Sequence, residues 1–160
     1  MRSMSEMRRR RIARIARIKG SAILELAIIG VMFSVMTIFC LNILVLAIGS
    51  GVNERACRDA ARMAGQASNY SDSLLLAQTA VKGYQGDGYF VSSPVVVSSE
   101  FVYNDFGGSP PANTSPYVKV TTSCQIRLPA PIFIYGLNFG NNTNMTFKKT
   151  YTFPIVTTAN

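Results

Sequence analysis

The feature that most constrains this chain is an uncharged and largely apolar run from Leu26 to Val52. The run holds 27 residues. At about 1.5 Å of helical rise per residue, it exceeds the ~20 residues that are needed to cross a bilayer. A buried core helix is the alternative, but this run is long and hydrophobic on every side. It therefore predicts a membrane-spanning helix.

The net charge of +8 is concentrated before this run. Residues 1–19 contain eight basic side chains and one acidic side chain, whereas the rest of the chain is close to neutral. A nucleic-acid-binding module carries its charge on a folded face, so this distribution argues against nucleic acid as a partner. The positive-inside rule places the N-terminus in the cytoplasm and the C-terminal part outside.

The segment after the run is predicted to be helical. In "NERACRDAARMAGQA" and the valine before it, small or apolar residues recur at spacings of four and three, which predicts a helix that continues to about Gln66. The residues of this stripe are Val52, Ala56, Ala60, Met63 and Ala67. A second helix is expected in "SDSLLLAQTAVKG", capped by Ser71 or Asp72 and ended by Gly83.

From Gly86 onwards the sequence is typical of β-structure, with many Val, Thr, Tyr and Phe residues. Residues 117–128 alternate between apolar and polar side chains, which predicts an antiparallel strand with one buried side. The buried positions are expected to be Val118, Val120, Cys124, Ile126 and Leu128. The predicted fold class is α+β: a long transmembrane helix that continues into an extracytoplasmic helix, then a small antiparallel β-rich region.

This division gives four segments. They are a basic leader (1–20), a transmembrane helix (21–52), an extracytoplasmic helical stalk (53–83) and a β-rich extracytoplasmic domain (84–160).

Motifs for catalysis, cofactors or metals are absent from the sequence. The chain has no histidine, no CxxC pair, no G-x-S-x-G elbow and no P-loop, so we expect neither an enzyme nor a bound cofactor or metal. The sequence "QGDGY" around Asp87 is too short for a calcium loop and predicts a tight turn.

Two of the three cysteines, Cys57 and Cys124, follow the apolar run on the outer side, where disulfides persist. The sequence leaves two alternatives for this pair: a disulfide between them, or two buried free thiols. Cys40 lies within the run and is expected to be an inert small hydrophobe.

The junction between the basic segment and the apolar run reads "KGSAILEL". A charged residue inside a spanning helix is costly and is by default functional, which draws attention to Glu25. This junction resembles the type IV prepilin processing site, at which a membrane aspartyl peptidase cuts after the glycine. The resemblance implies a cut between Gly20 and Ser21 that leaves Glu25 as the fifth residue of the mature chain.

The similarity extends over residues 20–65, because "GSAILELAIIGVMF" through "NERACRDAARMAG" resembles the TadE-like pseudopilins of tight-adherence (Flp) pilus systems. Leu26 departs from that pattern, since phenylalanine is usual there in TadE-like proteins and tyrosine in the major Flp pilin. The β-rich remainder carries no matching motif.

The resemblance implies a structural subunit, a pseudopilin or minor pilin of a type IVb pilus. It would be held in the bacterial inner membrane with a periplasmic C-terminal domain, and then incorporated into a pilus. Its implied partners are a prepilin peptidase, other pilin subunits, the inner-membrane assembly machinery and the lipid bilayer. The alternative is an uncleaved single-pass anchor that presents a β-rich extracytoplasmic binding domain.

Elementary physical chemistry is consistent with a processing site at this junction. Gly20 has no Cβ, so an extended chain can enter a protease cleft closely there. On a helix that starts at Ser21, Glu25 lies one turn in, where the helix N-terminus and the new α-amine both favour the ionised carboxylate. In a filament it could pair with a neighbour's α-amine; a glutamate that merely reaches the membrane surface is the simpler alternative.

Overall fold

A computed structural model describes residues 4–129, 132–134, 137–139 and 144–156, with side chains described for residues 22–129 and 144–156. The helices are α1 (Met4–Ala64) and α2 (Tyr70–Lys82). The strands are β1 (Val95–Val96), β2 (Val102–Asn104), β3 (Tyr117–Arg127), β4 (Ile132–Ile134), β5 (Leu137–Phe139) and β6 (Asn144–Pro154). Two compact units divide the chain, Met1–Cys40 and Leu41–Asn160. The coarse α+β class predicted from the sequence is confirmed.

The first unit consists of the N-terminal part of α1. Every described side chain from Ala22 to Cys40 is exposed, although most of them are apolar. Within α1, the stretch Ala22–Ala64 contains a window that is long and apolar enough to cross a membrane. A helix that exposes apolar side chains on all sides is unstable in water, so this surface requires lipid or other helices around it.

The second unit is built around β3, the longest strand together with β6. β6 pairs antiparallel with β3 along its whole length, from Tyr117 opposite Pro154 to Arg127 opposite Asn144. β1 and β2 pair with separate parts of β3 and therefore share its other edge. The two remaining strands, β4 and β5, form a separate antiparallel hairpin, which lies in the chain segment that connects β3 to β6.

The sequence alternation predicted for β3 is largely confirmed. All five predicted core positions of residues 118–128 are buried, while Lys119, Gln125 and Arg127 are exposed. Thr121 is the exception on the polar face, because it is 1% exposed and bonds to Thr150 of β6. The short turn Ser98–Glu100 contacts β3, and the backbone N–H of Val97, just before it, donates a 2.9 Å hydrogen bond to the carbonyl of Thr121.

The inner face of the sheet is covered by the last part of α1. Small side chains of the helix, Ala60, Ala61 and Ala64, pack against Val118 and Val120 in one buried cluster. Toward the N-terminal side of this helical segment, Val45 and Leu46 pack against a second cluster of Val91, Cys124 and Ile126. The helix thus runs antiparallel to β3, and its small residues allow a close approach.

This packing corrects part of the stripe predicted for α1. Ala56, Ala60 and Ala67 of the predicted stripe are buried, but Val52 is only half-buried and Met63 is exposed. The other buried positions of the described side chains of α1 are Asn42, Gly49, Asn53, Cys57, Ala61 and Ala64. Residues 53–83 lie in the same compact unit as the sheet, Leu41–Asn160.

The second helix, α2, begins slightly earlier than predicted. Its N-cap is Asn69, whose side chain accepts a 2.8 Å hydrogen bond from the backbone N–H of Asp72. Gly83 is the C-cap, as predicted. The first helix ends at Ala64, close to the predicted end at Gln66.

Candidate functional site

The predicted cleavage junction lies within the unbroken backbone of α1. Gly20 and Ser21 fall inside the helix Met4–Ala64, and their side chains lie outside the described part of the chain. A peptidase that cuts an extended segment would have to unwind this turn. Glycine lowers the cost of doing so, because it is about 1 kcal/mol less favourable than alanine inside a helix.

Glu25 follows this junction by about one and a half helical turns. Its side chain is exposed, and no hydrogen bond or ion pair joins it to the side chains described in residues 22–129 and 144–156. Its neighbours are exposed apolar residues, with Leu24 at 64% and Leu26 at 70%. A carboxylate in such surroundings needs a partner from outside these residues, either water at a membrane surface or a group on another molecule.

The apolar surface that follows Glu25 contains few polar groups. The hydroxyl of Ser34 donates a 2.9 Å hydrogen bond to the carbonyl of Gly30, and that of Thr37 donates one of 2.9 Å to the carbonyl of Phe33. Both hydroxyls are therefore satisfied within the helix itself. This part of α1 can be surrounded by lipid or by other helices without leaving those two donors unpaired.

A buried polar contact, missed in the sequence analysis, fixes α1 on the sheet. Asn53 is completely buried, and its Oδ1 accepts a 2.8 Å hydrogen bond from the hydroxyl of Thr122. Its Nδ2 donates a 3.1 Å bond to the carbonyl of Phe147 in β6. The sequence signal was the four-residue spacing of Gly49, Asn53 and Cys57, which a search for apolar stripes passes over.

The disulfide considered for Cys57 and Cys124 is absent, because both are buried free thiols. The thiol of Cys57 lies over the seam of β3 and β6, 3.4 Å from the carbonyl of Val120 and 3.2 Å from that of Lys149. Cys124 lies four residues from Val120 along β3, about 13 Å at ~3.3 Å per residue. A disulfide requires Cα atoms within about 7 Å.

The Cys124 thiol points toward the other edge of β3. Its Sγ lies 3.2 Å from the carbonyl of Ser92. Burial raises the pKa of this thiol, against a smaller opposite effect of the Ser92 hydrogen bond. Since the thiolate is the reactive form, Cys124 is an inert core residue.

The turn predicted around Asp87 is confirmed. One carboxylate oxygen accepts hydrogen bonds from the backbone N–H groups of Tyr89, Phe90 and Val91, at 2.9, 2.8 and 2.8 Å. These bonds, that from Val91 first, hold the pKa of Asp87 below its usual value, against the smaller effect of desolvation. Asp87 therefore shapes the entry to the segment that pairs with the end of β3.

A groove of about 360 Å³ lies between α1 and α2. The hydroxyl of Tyr84 donates a hydrogen bond to Asp59 at its edge, and this bond is the main cause that raises the pKa of Tyr84. The groove is lined by Asp59, Arg62, Met63, Gln66, Thr79, Ala80 and Tyr84. Among the residues that the structure describes, no group of three or more His, Cys, Asp or Glu side chains could hold a metal ion.

Comparison with protein-family models, with curated proteins and with solved structures finds no match. The candidate site is therefore defined by this chain's own features. It is the N-terminal part of α1, with the Gly20–Ser21 junction, the exposed Glu25 and the exposed apolar surface that follows.

Proposed function

We propose that this chain is a pilin-like structural subunit, a pseudopilin or minor pilin of a tight-adherence type IVb pilus. In this proposal α1 anchors the precursor in the bacterial inner membrane, with the N-terminus in the cytoplasm and the unit Leu41–Asn160 in the periplasm. The observation that carries the proposal is Glu25, an exposed carboxylate five residues after Gly20 on a helix with an exposed apolar surface.

Processing is the first step. A prepilin peptidase cuts between Gly20 and Ser21 and removes the whole segment whose net charge is +7. The new N-terminus is an α-amine with a reference pKa of about 7.7–8.0, so it is substantially protonated at neutral pH. Cleavage thus replaces a strongly basic leader, which opposes movement through the membrane, with a single positive charge next to Glu25.

Assembly is the second step. Inside a bilayer, apolar side chains gain little from leaving lipid for a neighbouring helix, so close packing and polar contacts decide which helices associate. A contact between Glu25 and the α-amine of another subunit joins two charges that are costly when buried singly. Such a pair fixes the axial register between neighbouring helices.

When subunits leave the membrane, burial of their apolar surface becomes the main contribution to the stability of the assembled pilus. Side chains such as Phe33, 74% exposed, and Val31, 65% exposed, must then be covered by other subunits. Each large apolar side chain that is removed from water contributes about 1.5–3 kcal/mol. A bundle formed by the N-terminal parts of α1 from several subunits provides that cover on all sides.

N-terminal sequencing of the membrane-extracted protein tests the proposal. In a strain with an active prepilin peptidase, the mature chain should begin at Ser21, and Gly20→Val should remain uncut because its side chain obstructs the close approach. Gly30→Val is the matched control, since it makes the same exchange at a helical glycine outside the junction and should still be cut. A wild-type chain that begins at Met1 would support the uncleaved membrane anchor instead.

A further inference from the structure

One end of the sheet lies beside the part of α1 that still belongs to the apolar run. Val45 and Leu46, both within that run, pack with Val91 and Ile126, and Phe90 lies against the same cluster. Gly49 faces Ile126 so closely that an added Cβ would lie 2.7 Å from its Cγ1. The last part of the apolar run therefore packs directly against the sheet.

Helical rise places this end of the sheet relative to a bilayer. As a helix, the apolar run Leu26–Val52 is about 40 Å long at ~1.5 Å per residue, whereas the hydrocarbon core is only ~30 Å thick. Val45 and Leu46 lie seven and six residues before the end of this run, within its excess length. The headgroup layer on each side of a bilayer is about 5–7.5 Å thick, so the cluster at Val45 and Leu46 coincides with it.

The exposed side chains at this end have the chemistry of a membrane interface. Tyr89 is 66% exposed and stands edge-on against Phe90, with the ring centroids 4.7 Å apart. The guanidinium of Arg127 lies over the Tyr89 ring, 5.6 Å from its centroid, and is exposed. Tyrosine and arginine are characteristic of the headgroup level, where one part of the side chain is apolar and the other is hydrated.

Asp87 is the acidic residue of the same turn. The oxygen that accepts the three backbone N–H bonds is turned toward residues 89–91.

Met145 of β6, which pairs with Ile126 and is 39% exposed, adds an apolar side chain at this end of the sheet.

The chain topology brings further apolar residues to the same end. The hairpin of β4 (Ile132–Ile134) and β5 (Leu137–Phe139) connects the end of β3 to the start of β6, and five of its six strand residues are apolar. Ile132 comes four positions after Leu128, a reach of at most about 14 Å. The hairpin therefore starts close to the Tyr89 end of the sheet.

We propose that this end, which we call the Tyr89 surface (Tyr89, Phe90, Arg127 and Met145), rests on the outer surface of the phospholipid bilayer. Arg127 donates hydrogen bonds to lipid phosphate oxygens, and the Tyr89 ring lies at the headgroup level. The inference rests on the membrane placement of α1 in the proposed function. It adds a second membrane contact, which holds the folded unit against the bilayer.

Tryptophan fluorescence tests this contact, because the chain contains no tryptophan. Full-length Tyr89→Trp is reconstituted into phosphatidylcholine vesicles with a fraction of phosphatidylglycerol, and quenching by brominated lipids is measured. Tyr70→Trp is the matched control, since Tyr70 is 48% exposed but stands against Phe101, which packs in the cluster around Ala64. Phe33→Trp reports on the apolar part of α1. Position 89 should be quenched several-fold more than position 70.

The outcomes separate the two proposals. Quenching at position 33 without quenching at position 89 would refute the Tyr89 surface and leave the membrane anchor intact. An absence of quenching at all three positions would refute the membrane placement of α1, and the surface with it.

A matched pair of variants tests the role of Arg127. Arg127→Gln in the Tyr89→Trp background should reduce the quenching at position 89, because the guanidinium no longer binds phosphate. Lys119→Gln should leave it unchanged, since Lys119 is exposed on the same face of β3, about 26 Å away along the strand. Equal quenching in the Arg127→Gln and Lys119→Gln proteins would exclude the phosphate contact.

Discussion

Asn53 of α1 and Thr122 of β3 share a 2.8 Å hydrogen bond in the core of the folded unit. Both side chains are completely buried, and the amide of Asn53 also donates to the backbone of β6 at Phe147. A buried polar group without a partner is costly, so this contact favours one position of the helix along the sheet. It determines which helical residues face Val118 at one end of β3 and Ile126 at the other.

A double-mutant cycle measures this contact. Asn53→Ala and Thr122→Val should each lower the free energy of unfolding by about 1–3 kcal/mol, because each leaves the other side chain buried without its partner. The double variant should lose less than the sum of the two. Urea unfolding of the detergent-solubilised full chain, followed by far-UV circular dichroism, gives the values. Gln125→Ala, an exposed change on the same strand, is the control. Strictly additive losses would mean that the hydrogen bond adds no coupling.

Two helical glycines, Gly49 and Gly51, provide a matched pair. An added Cβ at Gly51 meets nothing within 4 Å, whereas one at Gly49 would crowd the fully buried Ile126. Alanine gains up to about 1 kcal/mol of helix propensity over glycine at either position, but overpacking costs about 1–3 kcal/mol. Gly51→Ala should therefore raise the free energy of unfolding and Gly49→Ala should lower it in the same urea titration. Equal effects would show that Ile126 moves aside freely.

The coarse fold could be predicted from local patterns, because these depend on residues near each other in sequence. The apolar run, the alternation along β3 and the turn at Asp87 are signals of this kind. Gly83 as the end of α2 is another, since glycine is a poor helix former and therefore favours the end of a helix.

The position of α1 on the sheet could not be predicted in this way. It depends on which helical residues face β3, and a hydrophobicity count prefers Val52 and Met63 over Asn53. Burial of Asn53 is favourable only because Thr122 and the carbonyl of Phe147 are there to bond it. For the same reason the sequence could not decide whether Cys57 and Cys124 form a disulfide. The position of α1 on the sheet places Cys57 opposite Val120 rather than Cys124.

Acid should weaken the turn at Asp87. Its pKa is lower in the folded chain than in the unfolded one, so its stabilising contribution is complete above the unfolded pKa of about 3.9 and is lost as the pH falls through the folded pKa. The difference in unfolding free energy between the wild type and Asp87→Asn should therefore shrink in that range.

Glu100 also has a lowered pKa, chiefly through its hydrogen bond from Lys148, so its protonation by acid also lowers stability. For this reason the comparison must be made between variants rather than against pH alone, and Glu100→Gln is the parallel control. A difference between wild type and Asp87→Asn that stays constant with pH would contradict the linkage.

Glu25→Gln tests the assembly half of the proposed function. The variant should still be cut between Gly20 and Ser21, because the peptidase needs mainly the glycine and the change in charge around it. It should remain in the membrane at least as well as the wild type, since the removal of a charge lowers the cost of burial. What it should lose is the contact with a neighbouring α-amine, which would leave that amine buried without its partner at a cost on the order of 1–3 kcal/mol or more.

The measurement is copurification of the processed variant with its pilin partners, compared with its amount in the inner membrane. We expect the Gln variant to accumulate in the membrane and to copurify poorly. Glu54→Gln is the matched control, because it removes the same charge from an exposed ion pair with Arg58 and should assemble normally. If Glu25→Gln copurifies as well as Glu54→Gln, Glu25 acts only as a residue that reaches the membrane surface, and another feature of α1 must set the register between subunits.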